Sequence, residues 1–344
     1  MLKEIWLHTV RAYIRLGLFF YYKKIHTVNF DNIPQNKPVL ILANHQNALL
    51  DALIIATKTK QFSYFLTRAS VFNSPLISHI LKSLRMIPVY RIRDGIKTIT
   101  KNHTIFKTCS NLLNNNESVV IFPEGNHNLK RTVRPLSKGF TRIIFESLQE
   151  NPSLELQLVP VGLNYKHAEK FVDEVSVYVG DPIVLSEFTN YEKNEAVLKL
   201  KDYVHQSLSK LTSHIPSDDY ESVLKKLDAL HVDFLKPKSV NSCISNDFKE
   251  CLSKKTSKFK SFKTVLLWFL KLNILLPYAV WKLLLEPKIK EIEFVSTFRF
   301  VVVITLVPLY LLIITWYLVT SLGVFIGLIY LLLVLALALI AVKV

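Results

Sequence analysis

The chain has 344 residues, enough for one sizeable domain with appendages or for two small domains. Hydrophobic residues make up 50% of it and the mean hydropathy is +0.27, which is high for a soluble enzyme and indicates a membrane-embedded share. The formal net charge of +16 favours a negatively charged partner: nucleic acid, an anionic membrane surface or a phosphate-bearing substrate. The three cysteines form no CxxC pair and cannot all pair, which favours a reducing compartment and argues against structural zinc.

The first predicted element is a helical segment at the N-terminus, residues 1–29. Over residues 1–24, five basic residues and one acidic residue are interleaved with aromatic side chains. Cations and aromatic rings together are typical of the headgroup level of a bilayer, so we predict a membrane-interfacial amphipathic helix. The alternative is an ordinary amphipathic helix packed on the core. No small-residue cleavage site follows the apolar stretch, so no cleavable signal peptide is predicted.

Short apolar runs of strand length define a globular part over residues 30–190. Helical patterns such as residues 97–113 separate the runs, and this alternation predicts an α/β domain with helices on the faces of a sheet. Loops at strand ends are then the expected place for a site. The predicted strands are residues 38–43, 86–90, 118–122, 157–163 and 175–179.

Two polar or mixed segments follow the globular part. Residues 191–260 are polar, lysine-rich and helix-compatible, and their stretch 236–246 has the composition of a turn and is interpreted as a linker. Residues 261–299 are predicted to form interfacial or re-entrant helices, because lysine, asparagine and proline interrupt their apolar run. A third membrane crossing at 264–285 is the alternative, and the positive-inside tendency disfavours it.

Residues 300–344 are predicted to form a two-helix transmembrane hairpin. No charged residue occurs over 300–342, and the stretch is long enough for two crossings of about 20 residues each, turned near Gly323. Arg299 before the first crossing and Lys343 after the second place both outer ends on the cytoplasmic side. We therefore predict a multi-pass membrane protein whose site faces the cytoplasm.

A histidine and a carboxylate follow the predicted strand at 38–43. They are His45 and Asp51, with five residues between them, and a helix begins at the carboxylate. An adjacent carboxylate can fix the tautomer of an imidazole and stabilise its protonated form, so that the imidazole can deprotonate a hydroxyl. Taken alone, the pair fits a helix cap with a salt bridge equally well.

Two further motifs lie at predicted strand ends. Glu124 and Gly125 belong to a Phe-Pro-Glu-Gly sequence directly after strand 118–122, where proline and glycine shape a turn that points the carboxylate into a cleft. The alternative is an ordinary surface turn. Arg91 and Arg93 follow strand 86–90 and can grip a phosphate, because guanidinium groups match phosphate oxygens. The alternative is a solvated charge pair on an edge strand.

A fourth motif, Val-Pro-Val-Gly at 159–162, is apolar and is interpreted as pocket wall. In this order the four motifs resemble the blocks of the glycerophosphate acyltransferase superfamily, which includes lysophosphatidate and glycerol-3-phosphate acyltransferases. Those blocks are His-x4-Asp, a block ending in Arg, Phe-Pro-Glu-Gly, and a block centred on Val-Pro. The resemblance covers roughly residues 30–190. It implies a mixed sheet flanked by helices and an O-acyltransferase of phosphatidic acid and phospholipid biosynthesis.

The resemblance also implies a role for each matched residue. His45 is the expected general base and Asp51 its orienting partner. No cofactor or metal is expected, and the acyl donor is acyl-CoA or acyl-carrier protein. The residues expected to bind substrate are Arg91, Arg93, Glu124, Gly125, Lys138 and Pro160. Lys138 is included because Leu-Ser-Lys-Gly at 136–139 resembles the Lys-Gly that follows the third block.

The first block departs from the family in having five residues, not four, between His45 and Asp51. On a continuous helix the extra residue would rotate Asp51 by about 100°. A dyad therefore requires His45 to lie in a loop before the helix, where a bulge absorbs the insertion. This spacer resembles a fungal branch that acts on glycerol 3-phosphate and dihydroxyacetone phosphate, which favours an unacylated acceptor.

Two other departures concern the turns. Arg85 stands in the second block where glycine is usual, and Asn126-His127 follows Gly125 where Thr-Arg is usual. The candidates for the missing cation are Lys130, Arg131 and Arg134.

Two other functional classes remain open from the sequence. One is a non-catalytic lipid-binding or membrane-remodelling protein that keeps the fold. The other is a membrane-tethered nucleic-acid binder, but the chain lacks a recognition motif, so no nucleic-acid partner is predicted. The expected partners are membrane lipids, an acyl donor and a glycerophosphate acceptor, with another lysophospholipid or lipid precursor as the alternative acceptor. The sequence leaves the acyl chain length and the oligomeric state undetermined.

Overall fold

The computed structural model describes residues 1–90, 101–253 and 260–344. Its centre is a seven-stranded sheet in the order β1-β7-β6-β2-β5-β3-β4. The paired strands are parallel except β6 and β7, which are antiparallel, so the predicted mixed sheet is confirmed. The strands are β1 (Lys24–Val28), β2 (Val39–Ala43), β3 (Ser63–Arg68), β4 (Met86–Val89), β5 (Ser118–Ile121), β6 (Gln157–Tyr165) and β7 (Glu174–Val179).

Five of these strands coincide with the predicted runs. Continuous Val, Ile and Leu residues produce strands buried on both faces, and β2 and β5 are buried along their whole length. Strands β1 and β3 were not predicted, because their sequences mix polar and apolar residues without a long apolar run. β1 also corrects the predicted boundary at residue 29, since the N-terminal helix ends at Tyr21 and the chain then enters the sheet.

Helices cover both faces of the sheet. The helices of this part are α1 (Leu2–Tyr21), α2 (Ala48–Lys58), α3 (Pro75–Ser83), α4 (Lys101–Asn114), α5 (Gly139–Glu150), α6 (Ser186–Thr189) and α7 (Lys193–Leu211), and a later helix, α12, is Val295–Ile304. Residues of α1, α2 and α12 share one core with the sheet, including Leu18, Ile54 and Phe300. Residues of α4, α5 and α7 form the core on the opposite face, including Phe106 and Phe140.

The N-terminal helix α1 has two different faces. Leu7, Leu18 and Tyr21 are buried against the rest of the protein, whereas Trp6 and Phe19 are exposed. The helix is therefore packed on the core along one side and offers apolar and aromatic side chains on the other. The inner face of α1 packs on the core, as one sequence interpretation predicts. The outer face has the composition of an interfacial helix, as the other predicts.

A small helical unit follows α7 and has its own core. It contains α8 (Tyr220–Ala229) and α9 (Pro237–Ser245). The interpretation of 236–246 as a linker is wrong, because these residues form α9, with Pro237 in its first turn, where a missing N–H costs nothing. A disulfide joins Cys243 to Cys251 in this unit, a pairing that the cysteine spacing had not suggested.

The remaining helices are strongly apolar. Two segments, Ile292–Leu322 and Val324–Lys343, are long and apolar enough to cross a membrane, so the protein is membrane-associated. They contain α12, α13 (Leu306–Leu322) and α14 (Val324–Lys343), and they turn at Gly323, whose φ is +97°. The first segment begins before the predicted residue 300. Lys343 Nζ donates to the carbonyls of Phe19 and Tyr22, which joins the end of α14 to α1.

Between the small helical unit and these segments lies a bent pair of helices. α10 (Lys260–Asn273) is followed by α11 (Leu275–Ala279) and a π-helical stretch, Val280–Leu285. The axes of Ser261–Asn273 and Leu275–Lys288 differ by 101°. A bend of this size is compatible with the predicted re-entrant pair and with a broken span.

Candidate active site

The carboxyl ends of three neighbouring parallel strands form the site. β2 leads to His45, β5 leads to Glu124, and β6 ends at Tyr165. Leu42 is level with Ile121 and Ala43 with Val161, so the segments that follow these strands meet at one edge of the sheet. Sequence-distant side chains are thereby placed together by strand register.

His45 and Asp51 form a hydrogen-bonded dyad. Nδ1 of His45 lies 2.8 Å from Oδ2 of Asp51. The carboxylate is fully buried, whereas the histidine side chain is 16% exposed and borders a cavity. A carboxylate can only accept at this contact, so the proton resides on Nδ1 and Nε2 carries the lone pair. This is the tautomer that a general base requires.

The five-residue spacer is accommodated by a loop before α2. His45 precedes the helix, which starts at Ala48, and Ala48 has a left-handed φ of +39°. The chain therefore turns between the two partners and does not carry both on one continuous helix. Asp51 reaches back from the first helical turn and accepts the backbone N–H groups of Gln46 (2.9 Å) and Asn47 (2.8 Å). These bonds satisfy donors at the helix start and fix the carboxylate beside the imidazole.

A residue that sequence reasoning missed completes the surroundings of Asp51. The buried Tyr165 donates its hydroxyl to Oδ1 of Asp51 at 2.6 Å. Burial, followed by the negative charge of Asp51, holds the pKa of Tyr165 well above its ordinary value, so the phenol stays a donor. Tyr165 lies 114 positions after Asp51, and nothing in its local sequence distinguishes it from other inward-facing strand residues.

Side-chain amides hold the histidine loop in place. Asn44 donates to the Leu163 carbonyl and accepts from the Leu163 N–H, at 3.0 and 2.7 Å. Gln46 donates to Leu129 O at 2.8 Å, and Asn47 donates to Ala168 O at 2.9 Å. Buried backbone N–H and C=O groups need hydrogen-bond partners. These side-chain amides bond backbone groups of Leu163, Leu129 and Ala168 and so attach the histidine loop to neighbouring segments. They account for the three polar residues of the first motif.

Glu124 is buried and internally paired. Its Oε1 accepts the backbone N–H of His45 at 3.2 Å, and its Oε2 lies 2.6 Å from Arg134. Burial raises the pKa of Glu124 above its ordinary value, and the positive charge of Arg134 opposes that rise. Arg134 also bonds Oδ1 and the carbonyl of Asn126. Of the three cations considered for this turn, Arg134 is therefore the one that meets it, and these contacts make Glu124 a positioning residue for the His45 loop.

The other two cations lie elsewhere. Arg131 donates to the carbonyls of Tyr165 and Lys166. Lys130 lies 3.6 Å from Glu221.

Glu124 lies in a turn as predicted, but its carboxylate is buried and paired with Arg134 and does not point into an open cleft. The Gly125 N–H donates to the Phe122 carbonyl at 3.0 Å, and Gly125 has a φ of +75°, a conformation that favours glycine. Ser137 N–H donates to Pro123 O at 2.7 Å, which brings the loop of Lys138 against the turn. Lys138 itself is exposed. The role of these residues in binding substrate stays a prediction.

One residue of the predicted binding set, Pro160, is not brought to the dyad. Pro160 is buried inside β6, level with Leu42, and packs against Gly180. The neighbouring Gly162 is required by packing, since an added Cβ would lie 2.3 Å from the Leu211 carbonyl oxygen. Arg91 and Arg93 lie outside the described residues, so their predicted phosphate contact is untested.

Arg85, the other departure from the family, does adopt a glycine-like conformation. Its φ is +61°. The side chain compensates by bonding Glu117 at 2.8 Å and Phe62 O at 3.1 Å.

Aromatic rings surround the imidazole of His45. Phe122 stacks on it with ring centroids 4.0 Å apart, and the ring of His127 meets it edge-on at 5.5 Å. His127 in turn contacts Phe294 (4.6 Å between centroids) and bonds Glu291 at 3.2 Å. Burial, and next the neighbouring His45, lowers the pKa of His127. A segment from the C-terminal part of the chain therefore reaches the site through a histidine that sequence reasoning had not assigned a role.

Among the described residues, one group has the composition of a cation site. Ligand atoms of His127, Glu291 and Glu293 all lie within 4.8 Å of one another. Exposed acidic groups often cluster without an ion, and Glu291 is exposed. The cavity lined by His45 and Glu124 measures only about 10 Å³, room for about one water molecule.

The fold and site define an α/β protein with a His–Asp dyad at the edge of its central sheet and with apolar C-terminal helices. Residues 24–164 match the family described as Acyltransferase. The matched residues include both members of the dyad and the Phe-Pro-Glu-Gly turn.

Relatives with printed functions are glycerophosphate enzymes. The chain is 30% identical over 118 residues to Glycerol-3-phosphate O-acyltransferase 1 of Saccharomyces cerevisiae, covering 33% of this chain and 15% of that protein. It is 24% identical over 225 residues to the 1-acyl-sn-glycerol-3-phosphate acyltransferase of Borreliella burgdorferi, covering 65% and 79%. The match thus spans less than a fifth of the yeast relative. The crystal structure of the 1-acyl-sn-glycerophosphate (LPA) acyltransferase PlsC of Thermotoga maritima superposes with a TM-score of 0.44 at 16% identity, covering 61% and 80%.

Proposed function

We propose that this protein transfers a fatty acyl group from a thioester donor, acyl-CoA or acyl-carrier protein, to a hydroxyl of glycerol 3-phosphate or 1-acylglycerol 3-phosphate. The product would be an intermediate of phosphatidic acid and phospholipid synthesis. The observation that carries this proposal is the 2.8 Å contact between His45 and a buried Asp51 within the residues that match the Acyltransferase family. The printed activities of the relatives supply the substrate class.

The chemistry follows from the tautomer of His45. Nε2 accepts the proton of the acceptor hydroxyl while its oxygen attacks the thioester carbonyl. Asp51 stabilises the imidazolium that forms, in the way a buried carboxylate does in hydrolytic triads. When the tetrahedral intermediate collapses, the C–S bond breaks, and the imidazolium returns its proton to the departing thiolate. The products are an ester and a free thiol, and no acyl-enzyme is formed.

The acceptor phosphate is proposed to bind basic side chains that follow β4 and the Glu124 turn. Arg91 and Arg93 carry this role in the proposal, with Lys138 assisting, because guanidinium and ammonium groups bind phosphate oxygens. The exposure of Lys138 and its place beside the Glu124 turn support its share of the role. No cofactor or metal enters the proposed reaction.

The proposed setting is a membrane crossed by the two apolar segments. Lys288 and Lys290 before the first segment and Lys343 at the end of the second favour the cytoplasmic side for the outer ends of the segments, and the dyad would then face the cytoplasm. There the enzyme meets its soluble thioester donor and releases its lipid product directly into the bilayer.

The test uses the purified full chain in detergent or lipid nanodiscs. Glycerol 3-phosphate and 1-acylglycerol 3-phosphate are each supplied with acyl-CoA or acyl-carrier protein, and ester formation is measured. His45→Ala should lower kcat by about 10²–10⁴-fold with the fold retained. Wild-type turnover in the variant, or a trapped acyl-protein intermediate, would refute the mechanism. Tight lipid binding with no transfer to any acceptor would favour a non-catalytic lipid-binding protein.

A further inference from the structure

The small helical unit that follows α7 contains two cysteines that are joined by a disulfide. Cys243 lies in α9 and is 1% exposed, whereas Cys251 lies in the segment after that helix and is half-buried. Their Cα atoms are 4.8 Å apart, a separation that a disulfide accommodates. The third cysteine, Cys109, is a free thiol buried in α4. Of the three, only the pair in this unit can change between thiol and disulfide within the chain.

The proposed setting of the protein gives this disulfide a particular meaning. The dyad is proposed to face the cytoplasm, and the unit is bonded to the loop beside the dyad, since the Ile215 N–H donates to the Arg131 carbonyl at 2.7 Å. Both therefore lie on the same side of the membrane. Cytoplasmic reductants keep thiols reduced, and the disulfides that do form there are mostly transient, in catalysis or in redox sensing. A disulfide in this place is expected to open and close.

The turn between the two cysteines has an unfavourable backbone conformation. Asp247 and Phe248 follow one another with φ of +50° and +63°, a region that residues other than glycine rarely adopt. The disulfide closes this turn, because its two cysteines are separated by eight positions. When the disulfide opens, the turn can relax, and the end of α9 loses the covalent link that fixes it in the core of the unit.

Helix α9 holds the stretch of chain that joins the unit to the sheet. The side chain of Asn241 accepts the backbone N–H of His214 at 3.0 Å. It also donates to the carbonyls of Ser209 and Thr212, both at 2.9 Å. Asn241 and Cys243 belong to the same helix, one turn from its end. A shift of α9 therefore moves the backbone at His214.

The backbone at His214 and Ile215 in turn anchors the loop before Arg134. Nδ1 of His214 accepts the N–H of Val133 at 3.0 Å. Ile215 bonds Arg131, as described above, and its carbonyl accepts the hydroxyl of Thr132 at 2.7 Å. The loop is thereby fixed from the side of the small helical unit, up to the residue that precedes Arg134.

Arg134 connects this loop to the dyad. It bonds Oε2 of Glu124 at 2.6 Å, and Oε1 of Glu124 accepts the backbone N–H of His45 at 3.2 Å. A continuous set of hydrogen bonds thus runs from the helix that carries Cys243 to the backbone of the proposed general base. Such a set of packed contacts can couple two sites when one of them has two discrete states, and the disulfide provides those states.

We infer that Cys243 and Cys251 form a redox-modification site for small thiols and disulfides of the glutathione type, and that the disulfide form of the protein is the more active one. The effect on activity rests on the proposed acyl transfer, whereas the thiol–disulfide exchange does not.

The exchange takes place in two steps. The more accessible Cys251, as a thiolate, attacks one sulfur of the small disulfide, so that a mixed disulfide forms and one small thiol leaves. Cys243 then attacks the Cys251 sulfur of the mixed disulfide, which forms the bond between the two cysteines and releases the second small thiol. The two cysteines lose two electrons and two protons, and the small disulfide gains them as two thiols. Small thiols in excess reverse both steps.

The first test needs no enzymatic activity. The full chain in lipid nanodiscs is equilibrated in glutathione buffers from fully reduced to fully oxidised, its thiols are counted by maleimide labelling, and amide hydrogen exchange is measured by mass spectrometry. Opening of the disulfide should speed exchange about tenfold in peptides 131–134 and 212–215 and leave β2 (Val39–Ala43) unchanged. Cys109→Ala is the matched control and should respond like the wild type. Cys251→Ser should show the fast exchange in every buffer.

The second test measures acyl transfer by the same samples. On reduction, kcat should fall about three- to tenfold with little change in KM, because the backbone of the base and not the substrate contacts is loosened. Reoxidation should restore kcat in the wild type and in Cys109→Ala but not in Cys251→Ser.

The outcomes separate this inference from the proposed function. A pair that stays reduced in the most oxidising buffer, or stays a disulfide in the most reducing one, overturns the redox site. Opening of the disulfide without faster exchange at 131–134 overturns the coupling to the dyad. If the wild type transfers acyl groups with the same kcat in both redox states, the effect on activity is wrong and the proposed function stands. If it transfers none in either state, the proposed function fails, and labelling and hydrogen exchange still decide on the redox site.

Discussion

Nδ1 of His45 lies 2.8 Å from the carboxylate of Asp51 because Ala48, between them, takes a left-handed φ of +39°. Asp51 is held by more than the histidine. It accepts hydrogen bonds from two backbone N–H groups and from the hydroxyl of Tyr165. A carboxylate with this many donors is fixed in position, and this is what orients the imidazole.

Asp51→Asn should therefore disable the dyad while leaving the fold intact. The amide cannot accept all of these bonds, and its NH₂ group would favour the wrong tautomer of His45. We expect kcat to fall about a thousandfold or more, measured as ester formation at saturating substrates. Asp31→Asn is the control, because Asp31 is exposed and pairs only at the surface with Lys60. An Asp51→Asn enzyme with more than a tenth of wild-type kcat would contradict the role of Asp51.

Tyr165→Phe should lower kcat as well as stability, because the lost hydrogen bond is one that holds Asp51 beside His45. The variant removes one donor from Asp51, and we expect a stability loss of about 1 kcal/mol together with a several-fold fall in kcat. Tyr178→Phe is the matched control, because the Tyr178 hydroxyl bonds Leu235 O at 3.1 Å, away from the dyad. It should lose similar stability without loss of kcat. Equal kcat in both variants would remove Tyr165 from the positioning of Asp51.

Arg134→Met should destabilise the turn at Glu124. The variant leaves a buried carboxylate, 3% exposed, without its cation, at an expected cost of about 3 kcal/mol. Adding Glu124→Gln should recover part of this stability, since no charge is then left unpaired. Removing Arg134 raises the pKa of Glu124 further, so the instability of the single variant should lessen as pH falls and increase as pH rises through that pKa. Thermal unfolding of Arg134→Met, Glu124→Gln and the double variant across pH measures the stability loss and its pH dependence. If the stability losses of the two single variants simply add in the double variant, Arg134 and Glu124 are not coupled.

Gly125→Ala should test the conformation of the same turn. An added Cβ meets no atom within 4 Å, so the cost comes from the positive φ alone, about 1–2 kcal/mol. Gly323→Ala is the matched control, because Gly323 also has a positive φ and open space but lies between α13 and α14. Both variants should lose comparable stability, and only Gly125→Ala should lose activity. Loss of activity in both would point to general destabilisation.

Asp173→Asn should flatten the dependence of stability on pH. Burial raises the pKa of Asp173 from 3.8 to about 7. The folded protein holds the proton of Asp173 more tightly than the unfolded chain does. The free energy of unfolding is therefore highest below pH 3.8, the ordinary pKa, and falls as the pH rises to about 7. The full loss is on the order of 4 kcal/mol for the wild type. Thermal unfolding between these pH values should show this slope in the wild type and a smaller one in Asp173→Asn. If the stability of both proteins depends on pH with the same slope, Asp173 is not the group that titrates in this range.

The sequence alone identified the residue types of the candidate dyad and the two apolar segments that are candidates for membrane spans. His45, Asp51 and the Phe-Pro-Glu-Gly turn follow uninterrupted apolar runs, and such runs identify buried strands whose ends form sites. The uncharged stretch after residue 300 predicted two long apolar helices, because hydrocarbon excludes charge, and both are candidate membrane spans in the structure. Edge strand β1 and helix α9 escaped prediction, since their mixed composition reveals burial only when a partner is known.

Only the tertiary structure decided how these residues act together. The backbone conformation at Ala48 determines whether the five-residue spacer breaks or preserves the dyad, and spacing alone cannot specify that conformation. Tyr165 reaches Asp51 through the register of two parallel strands, and His127 reaches Glu291 across 164 positions of the chain. Contacts between distant segments depend on how whole elements pack, whereas a sequence pattern reports mainly on the local preferences of each element. The residue types of the dyad thus came from the sequence, and its geometry came from the fold.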